Sequence, residues 1–176
     1  MWVTLRSQHI NDLIRKEGKG DSMTLQANIT KVLNGTIQSV KSILPMSVTI
    51  DSPTLFKESV LHSSMSVLIG MTGDIKGRLV IDGNPHTFSS IGEVMYGMQL
   101  EGDMLESFTG ELGNMIAGHL ATNASQYELL MDITPPTVLV GDTKLSGFNQ
   151  AIRVPINLDT AGHLDVILMI EGQKTV

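Results

Sequence analysis

The residues of this 176-residue chain best suited to chemistry lie in "ESFTGELGNMIAG", residues 106–118, where Ser107, Glu111 and Asn114 follow a Ser-x3-Glu-x2-Asn spacing. On a helix this spacing makes Glu111 and Asn114 surface neighbours, with Ser107 one turn before Glu111. A carboxylate can pair with a cation, and an amide offers both hydrogen-bond donors and an acceptor. Other constellations are poorer. Zero cysteines removes disulfides, thiolate metal sites and cysteine nucleophiles together. The five histidines, His9, His62, His86, His119 and His163, contain no HExxH or other close ligand pair, so neither a metal site nor a cofactor of the chain's own is expected. "GMTGDIKG" is no phosphate loop: Gly70, Gly73 and Gly77 lack Walker spacing and a following Lys-Ser/Thr, and read as turn glycines. His119 is close to Asn114 in sequence, but helical geometry turns it about 140° away, toward the apolar side, as a hydrogen-bonded core histidine.

The helix that must carry these residues is unusual, because three glycines in its thirteen central residues each cost about 0.5–1 kcal/mol relative to alanine. At 100° per residue, Leu105, Phe108, Leu112, Met115, Ile116 and Leu120 fall within about 140° of arc and are the expected core face. The opposite arc, about 120° wide, holds Ser107, Gly110, Glu111, Asn114, Ala117, Gly118 and Ala121. A solvated helix face is normally rich in long polar side chains; here nearly every residue is small. Such a face is either buried within the same fold or left bare so that another backbone can approach closely. The cost of burying an unpaired Glu111 favours the exposed docking face. On that reading Gly110 and Gly118 clear the surface, while Gly113 turns toward a neighbouring helix or strand.

The remaining sequence supplies a scaffold. "TLQANITKVLNGTIQSVKSILP" has helical apolar spacing from Leu25 to Leu44 and ends before Pro45, giving a helix over 24–43. "SVTID" is a short strand and "SPTLFKES" a connection; two β-runs over about 64–72 and 76–82 then form a hairpin through a Gly/Asp turn. In "HTFSSIGEVMYGM", Phe88, Ile91, Val94, Met95 and Met98 form one helical stripe. The long helix begins at Asp103, which with Glu106 makes a variant capping box, and runs to about Ser125. After "DITPPTV" come two more β-runs, "AIRVPINL" and "HLDVILMIEG", as a second hairpin. Helix and hairpin are thus used twice, over 24–98 and 103–172, which predicts one α/β (α+β) domain of mostly antiparallel sheet packed on long helices. In the first half the Ser-x3-Glu-x2-Asn positions read Ala27, Lys31 and Asn34, without the carboxylate.

Composition bounds what such a domain does. Charged residues are 17% and apolar ones 41%, with a mean hydropathy of +0.13, so the chain is built to fold. A net charge of −6 with no basic stripe argues against nucleic acid and anionic membranes as partners. No apolar run reaches membrane-span length and the start lacks a signal-peptide core, so a cytoplasmic protein is expected. Residues 1–22, ending in "RKEGKGDS", read as an extension separate from the domain over 23–176.

With these residues in view, "SFTGELGNMIAG" resembles the [Asp/Ser]-x3-Glu-x2-Asn signature of the CheC/CheX/FliY phosphatases of bacterial chemotaxis, and "DITPPTVLVG" and "VLIGMTGDIKGRLVI" resemble the matching CheX-type segments. The similarity covers about residues 24–172, and with Lys31 where a first glutamate would stand it is of the single-motif, CheX type. The resemblance implies a phosphatase for the aspartyl phosphate of a CheY-like response regulator, with Mg²⁺ held by that partner. It implies that Glu111 engages the regulator's active-site lysine and that Asn114 orients the attacking water. Ser107, Gly110, Ala117 and Gly118 would belong to the docking surface, and the protein would be a homodimer. Relatives of this fold in the flagellar switch are largely structural, so a non-catalytic regulator-binding or scaffold module is the alternative; the presence of both Glu111 and Asn114 favours catalysis.

Overall fold

A computed structural model describes residues 12, 22–56, 58–148 and 150–171. The expected extension, residues 1–22, lies outside the described residues apart from Asp12 and Ser22. The first helix, α1, spans Ser22–Ile43. Its apolar positions recur every three or four residues, and Ile29, Val32, Leu33 and Val40 are buried. Thr36 and Ser39, buried among them, donate to the carbonyls of Val32 and Gly35 at 2.7 Å, so their hydroxyls are satisfied within the helix.

Eight strands follow the sequence order β1 Val48–Ile50, β2 Thr54–Phe56, β3 Leu61–Gly73, β4 Gly77–Gly83, β5 Met131–Ile133, β6 Thr137–Leu145, β7 Gln150–Leu158 and β8 Gly162–Ile170. They form one sheet ordered β1-β7-β8-β4-β3-β5, with β2 also paired to β7 and β6 to β3. Every pairing is antiparallel. The hairpins β3–β4 and β7–β8 are the two expected from sequence, and they meet along β4–β8 at the centre of the sheet. Each then takes its outer partners from the opposite half of the chain: β1 and β2 lie on β7, while β5 and β6 lie on β3. This reciprocal exchange gives the repeated units their approximate symmetry.

Besides the three-residue β5, which falls where no strand was expected, two strands depart from expectation. "SPTLFKES" contains β2 rather than a plain connection, and β6 runs through "TVLVGDTKL", where no strand was expected. Both lie away from the centre of the sheet. β6 is broken in pattern by Gly141, whose φ of 88° marks an irregularity, and it buries no residue fully, so it lacks the clean alternation that betrays a half-buried strand.

Both faces of the central strands are covered. On β4, Leu79 and Ile81 join the core beneath the helices, while Val80 points to a second cluster with Leu61, Ala151, Ile167 and Met169. This explains why β4 and β8 read as continuous apolar runs. Phe56 and Phe148, with ring centroids 6.0 Å apart, help close the second face, and Arg78 donates to the carbonyl of Gly147 at 2.9 Å over it. A polar network continues along the same face. Arg153 pairs with Asp165, His163 Nε2 lies 3.0 Å from Asp165 Oδ1, and Asn157 bridges His163 to Asp51. Asp82 is in register with Asp165 across β4–β8. Burial, with the neighbouring charge of Asp165 adding to it, pushes the Asp82 carboxyl up to about 6.

The second helix, α2, covers Pro85–Tyr96. Asn84 caps it by accepting from the Thr87 N–H at 2.8 Å, and Gly97, at φ 73°, ends it in a left-handed turn. The stripe expected on it is therefore cut short. Phe88 and Ile91 are buried, but Val94 is 51% exposed and Met98 falls beyond the helix end into solvent.

Candidate functional site

The third helix, α3, runs Gly102–Gln126 over the sheet. Its N-cap is Glu101, which makes no side-chain capping bond, so the expected Asp103/Glu106 capping box is not formed. Asp103 sits instead in the first turn, where its charge still favours the positive end of the helix. Leu105, Phe108, Leu112, Ile116 and Leu120 are buried as expected. Burial of each stabilises by about 1.5–3 kcal/mol, more than the glycines lose, so the helix tolerates them.

The buried arc is wider than expected and includes Thr109, Gly110, Gly113 and Ala117. Two residues expected on the docking face are thereby corrected to packing positions. Ala117 is 0% exposed within the core. At Gly110, also buried, a β-carbon would stand 3.1 Å from Val138 Cγ2 of β6, the strand that sequence reasoning missed and that lies over this flank. Gly113 answers to β3: a β-carbon there would be 2.6 Å from Val67 Cγ1. At Gly118, by contrast, a β-carbon would meet nothing within 4 Å.

What remains outside is a narrow stripe. Asp103, Ser107, Glu111 and Asn114 are exposed along successive turns, with Gly118 half-buried at its end. Among the described residues none hydrogen-bonds to or pairs with the side chains of Ser107, Glu111 or Asn114. One carboxylate and one amide, neighbours on the helix, are thus presented to solvent with their hydrogen-bonding capacity unspent. Such a pair can engage a cation and a water on an approaching molecule. Among the described residues no group of three His, Cys, Asp or Glu side chains is placed to hold a metal ion.

His119 lies away from this stripe, half-buried, with Nδ1 3.2 Å from Ser39 Oγ and 3.1 Å from Asn123 Nδ2. It is hydrogen-bonded as expected, but at the margin of the core rather than within it, and it ties α3 to α1. The equivalent of the stripe on α1 is occupied differently. Lys31, in the place of a carboxylate, donates to the Tyr127 carbonyl at 3.3 Å, just past the last residue of α3. A lysine here satisfies a helix-end carbonyl and complements the negative end of the dipole.

One feature beside the stripe was not anticipated. Tyr96, Met98 and Met104, exposed by 59, 50 and 55%, border an open groove of about 570 Å³ between the end of α2 and the first turns of α3. Ser107 and Glu111 form its other side. The available signal was Met98, which continues the periodicity of α2 past Gly97 where no helix can carry it inward.

The family model "Chemotaxis phosphatase CheX" matches residues 65–158. A curated relative, the CheY-P phosphatase CheX of Thermotoga maritima, is 29% identical over 154 residues, covering 84% of this chain and 99% of its own. Among solved structures, the chemotaxis protein CheX from Desulfovibrio desulfuricans matches with a TM-score of 0.70 at 17% identity, over 82% of this chain and 99% of that one. The CheX protein in a CheX–CheY–BeF3–Mg²⁺ complex from Borrelia burgdorferi gives 0.67 at 22% identity, over 82% and 98%. FliY of Thermotoga maritima is similar at 0.55 and 14% identity, over 79% and 84%.

Proposed function

Because the chain belongs to the CheX family of chemotaxis phosphatases, we propose that it hydrolyses the aspartyl phosphate of a CheY-like response regulator, with Glu111 and Asn114 as its catalytic residues. The observation that carries this reading is the exposure of both side chains, adjacent on α3 and without a partner among the described residues. Water attacks the phosphorus, the bond to the regulator's aspartate oxygen breaks, and inorganic phosphate and a free carboxylate result. That reaction is governed by positioning and charge screening, and it needs no nucleophile from the phosphatase. Asn114 holds the water in line through its amide. Glu111 pairs with a cation of the regulator and fixes the docking angle, in a contact that strengthens as water is excluded. Mg²⁺, carried by the regulator, screens the phosphoryl oxygens. Ser107 and the open position at Gly118 flank the pair along the docking stripe.

The same reading includes a homodimer in the cytoplasm. The outer edge of β6 pairs with no further strand among the described residues, and an unpaired edge is a template for a second copy. No helix among the described residues is long and apolar enough to cross a membrane. Sedimentation of the full chain tests the dimer. The deciding test of function is phosphate release from a labelled regulator, single turnover, with and without this protein. Accelerated decay is expected; unchanged decay at saturating protein assigns the non-catalytic, scaffold role instead.

A further inference from the structure

The groove beside Glu111 is a second working surface of the same helix. Tyr96, Met98 and Met104 are large, apolar and at least half exposed on one concave surface, where isolated exposed apolar residues would call for no explanation. The groove is shaped in advance. Its floor includes buried Phe108, and Tyr96 stands edge-on to that ring, centroids 5.8 Å apart at 85°, so little ordering is required when something enters. The methionines can adapt to an occupant's outline. Asp103 and Glu111 add two carboxylates to the lining, and neither has an ion-pair partner among the described residues. Since Ser107 and Glu111 line both the groove and the catalytic stripe, the two form one continuous surface.

Resting on the docking reading above, we propose that this groove takes an apolar side chain flanked by a basic one from the regulator's surface beside its phosphorylated aspartate. The apolar side chain fills the space between Tyr96, Met98 and Met104. The basic group meets Asp103, leaving Glu111 to the cation nearer the phosphate. The groove thereby supplies affinity and selects among regulators, while Asn114 supplies the chemistry. Buried aromatic and methionine anchors of this kind dominate binding more often than the polar rim around them.

The test compares wild type with Met104→Ser, Tyr96→Ser/Met104→Ser and Asp103→Lys, all at exposed sites where melting temperature checks that the fold is kept. Affinity is measured by titration with a regulator carrying beryllofluoride, and turnover with the phosphorylated regulator. The double variant is expected to raise Kd and KM by about tenfold or more with kcat within about twofold, and Asp103→Lys to weaken binding further than Met104→Ser. Unchanged Kd in the groove variants overturns the proposal, and so does a loss of self-association in Met104→Ser with no change in Kd, which gives the groove to a second copy of this chain. The parent reading fails separately. Weakened binding in the groove variants, together with an Asn114→Ala protein as active as wild type, keeps the groove and removes the catalytic assignment. An inactive Asn114→Ala with groove variants that bind like wild type does the reverse, and absence of binding by wild type overturns both.

Discussion

Gly113 of α3 lies against Val67 of β3 so closely that a β-carbon on the glycine would stand 2.6 Å from one valine methyl and 2.7 Å from the other. Val67 is fully buried on a central strand and, being β-branched, has little freedom to turn aside. The glycine is what lets the helix rest on the sheet at this depth, and that depth sets how far Glu111 and Asn114 rise above the surface. Gly113→Ala is expected to destabilise by about 1–2 kcal/mol, since overpacking costs more than the gain in helix propensity returns. Gly118→Ala, in open space, is expected to stabilise by up to about 1 kcal/mol. Urea unfolding of both variants measures the contrast, and Val67→Ala combined with Gly113→Ala recovers part of the loss if contact with Val67 is its cause.

Asn114→Ala and Glu111→Ala are each expected to lower dephosphorylation of the regulator by about a hundredfold or more while leaving the melting temperature within a few degrees. Both side chains are exposed and have no partner among the described residues, so truncation removes no contact seen there. Stopped-flow decay of regulator phosphate, read beside thermal unfolding, separates a catalytic loss from a structural one. A drop in both together would mean that the pair supports the helix rather than the reaction.

Lys31→Glu restores the Glu-x2-Asn residue types on α1, together with Asn34, yet it is expected to create no second active site. Position 31 is half-buried and its side chain is engaged with the carbonyl of Tyr127. A carboxylate there would face the negative end of α3 and lose a hydrogen bond, lowering stability by about 1 kcal/mol. Turnover per chain should stay at the wild-type value. A doubled turnover would show that the two helices are functionally interchangeable.

The pH dependence of stability should carry the signature of Asp82. In the folded protein this carboxyl keeps its proton up to about 6, whereas in the unfolded chain it loses it near 3.8. Between those values the native state binds more protons, so this group's contribution to stability falls as pH rises from about 4 to about 6. Asp82→Asn, uncharged and of the same shape, is expected to be more stable than wild type by about 1 kcal/mol at pH 7, a figure reduced for partial solvent access, and to converge with it below pH 4. Chemical denaturation across that range gives the difference curve. A gap that is constant with pH would assign the effect to packing.

The parts of this fold that announce themselves in the amino-acid sequence are those whose burial is one-sided or complete. Ile29, Val32 and Leu33 reveal α1 by period, and the unbroken runs in β4 and β8 reveal strands buried on both faces. The Glu111/Asn114 stripe was visible for the opposite reason, as two polar groups on a face with little else. What escaped depended on which element covers which flank. No residue of α3 says that β6 will lie over Gly110, and β6 itself, lacking fully buried residues and kinked at Gly141, shows no period. Without that strand, Gly110 looks like a solvent-facing position. The groove escaped because it belongs to the junction of two helices, where a left-handed Gly97 turns Met98 outward.

The crossed pairing of β1 and β2 with β7, and of β5 and β6 with β3, bears on ancestry and on division of labour. Neither half owns a complete sheet, so a free half could finish its hydrogen bonding only by trading strands with a twin. Joining two such twins in one chain makes the trade internal and ends the need for the two helices to remain alike. One helix can then carry an exposed carboxylate, while the other carries a lysine at the matching position and, through Lys31, serves as a strut beneath the end of its sister.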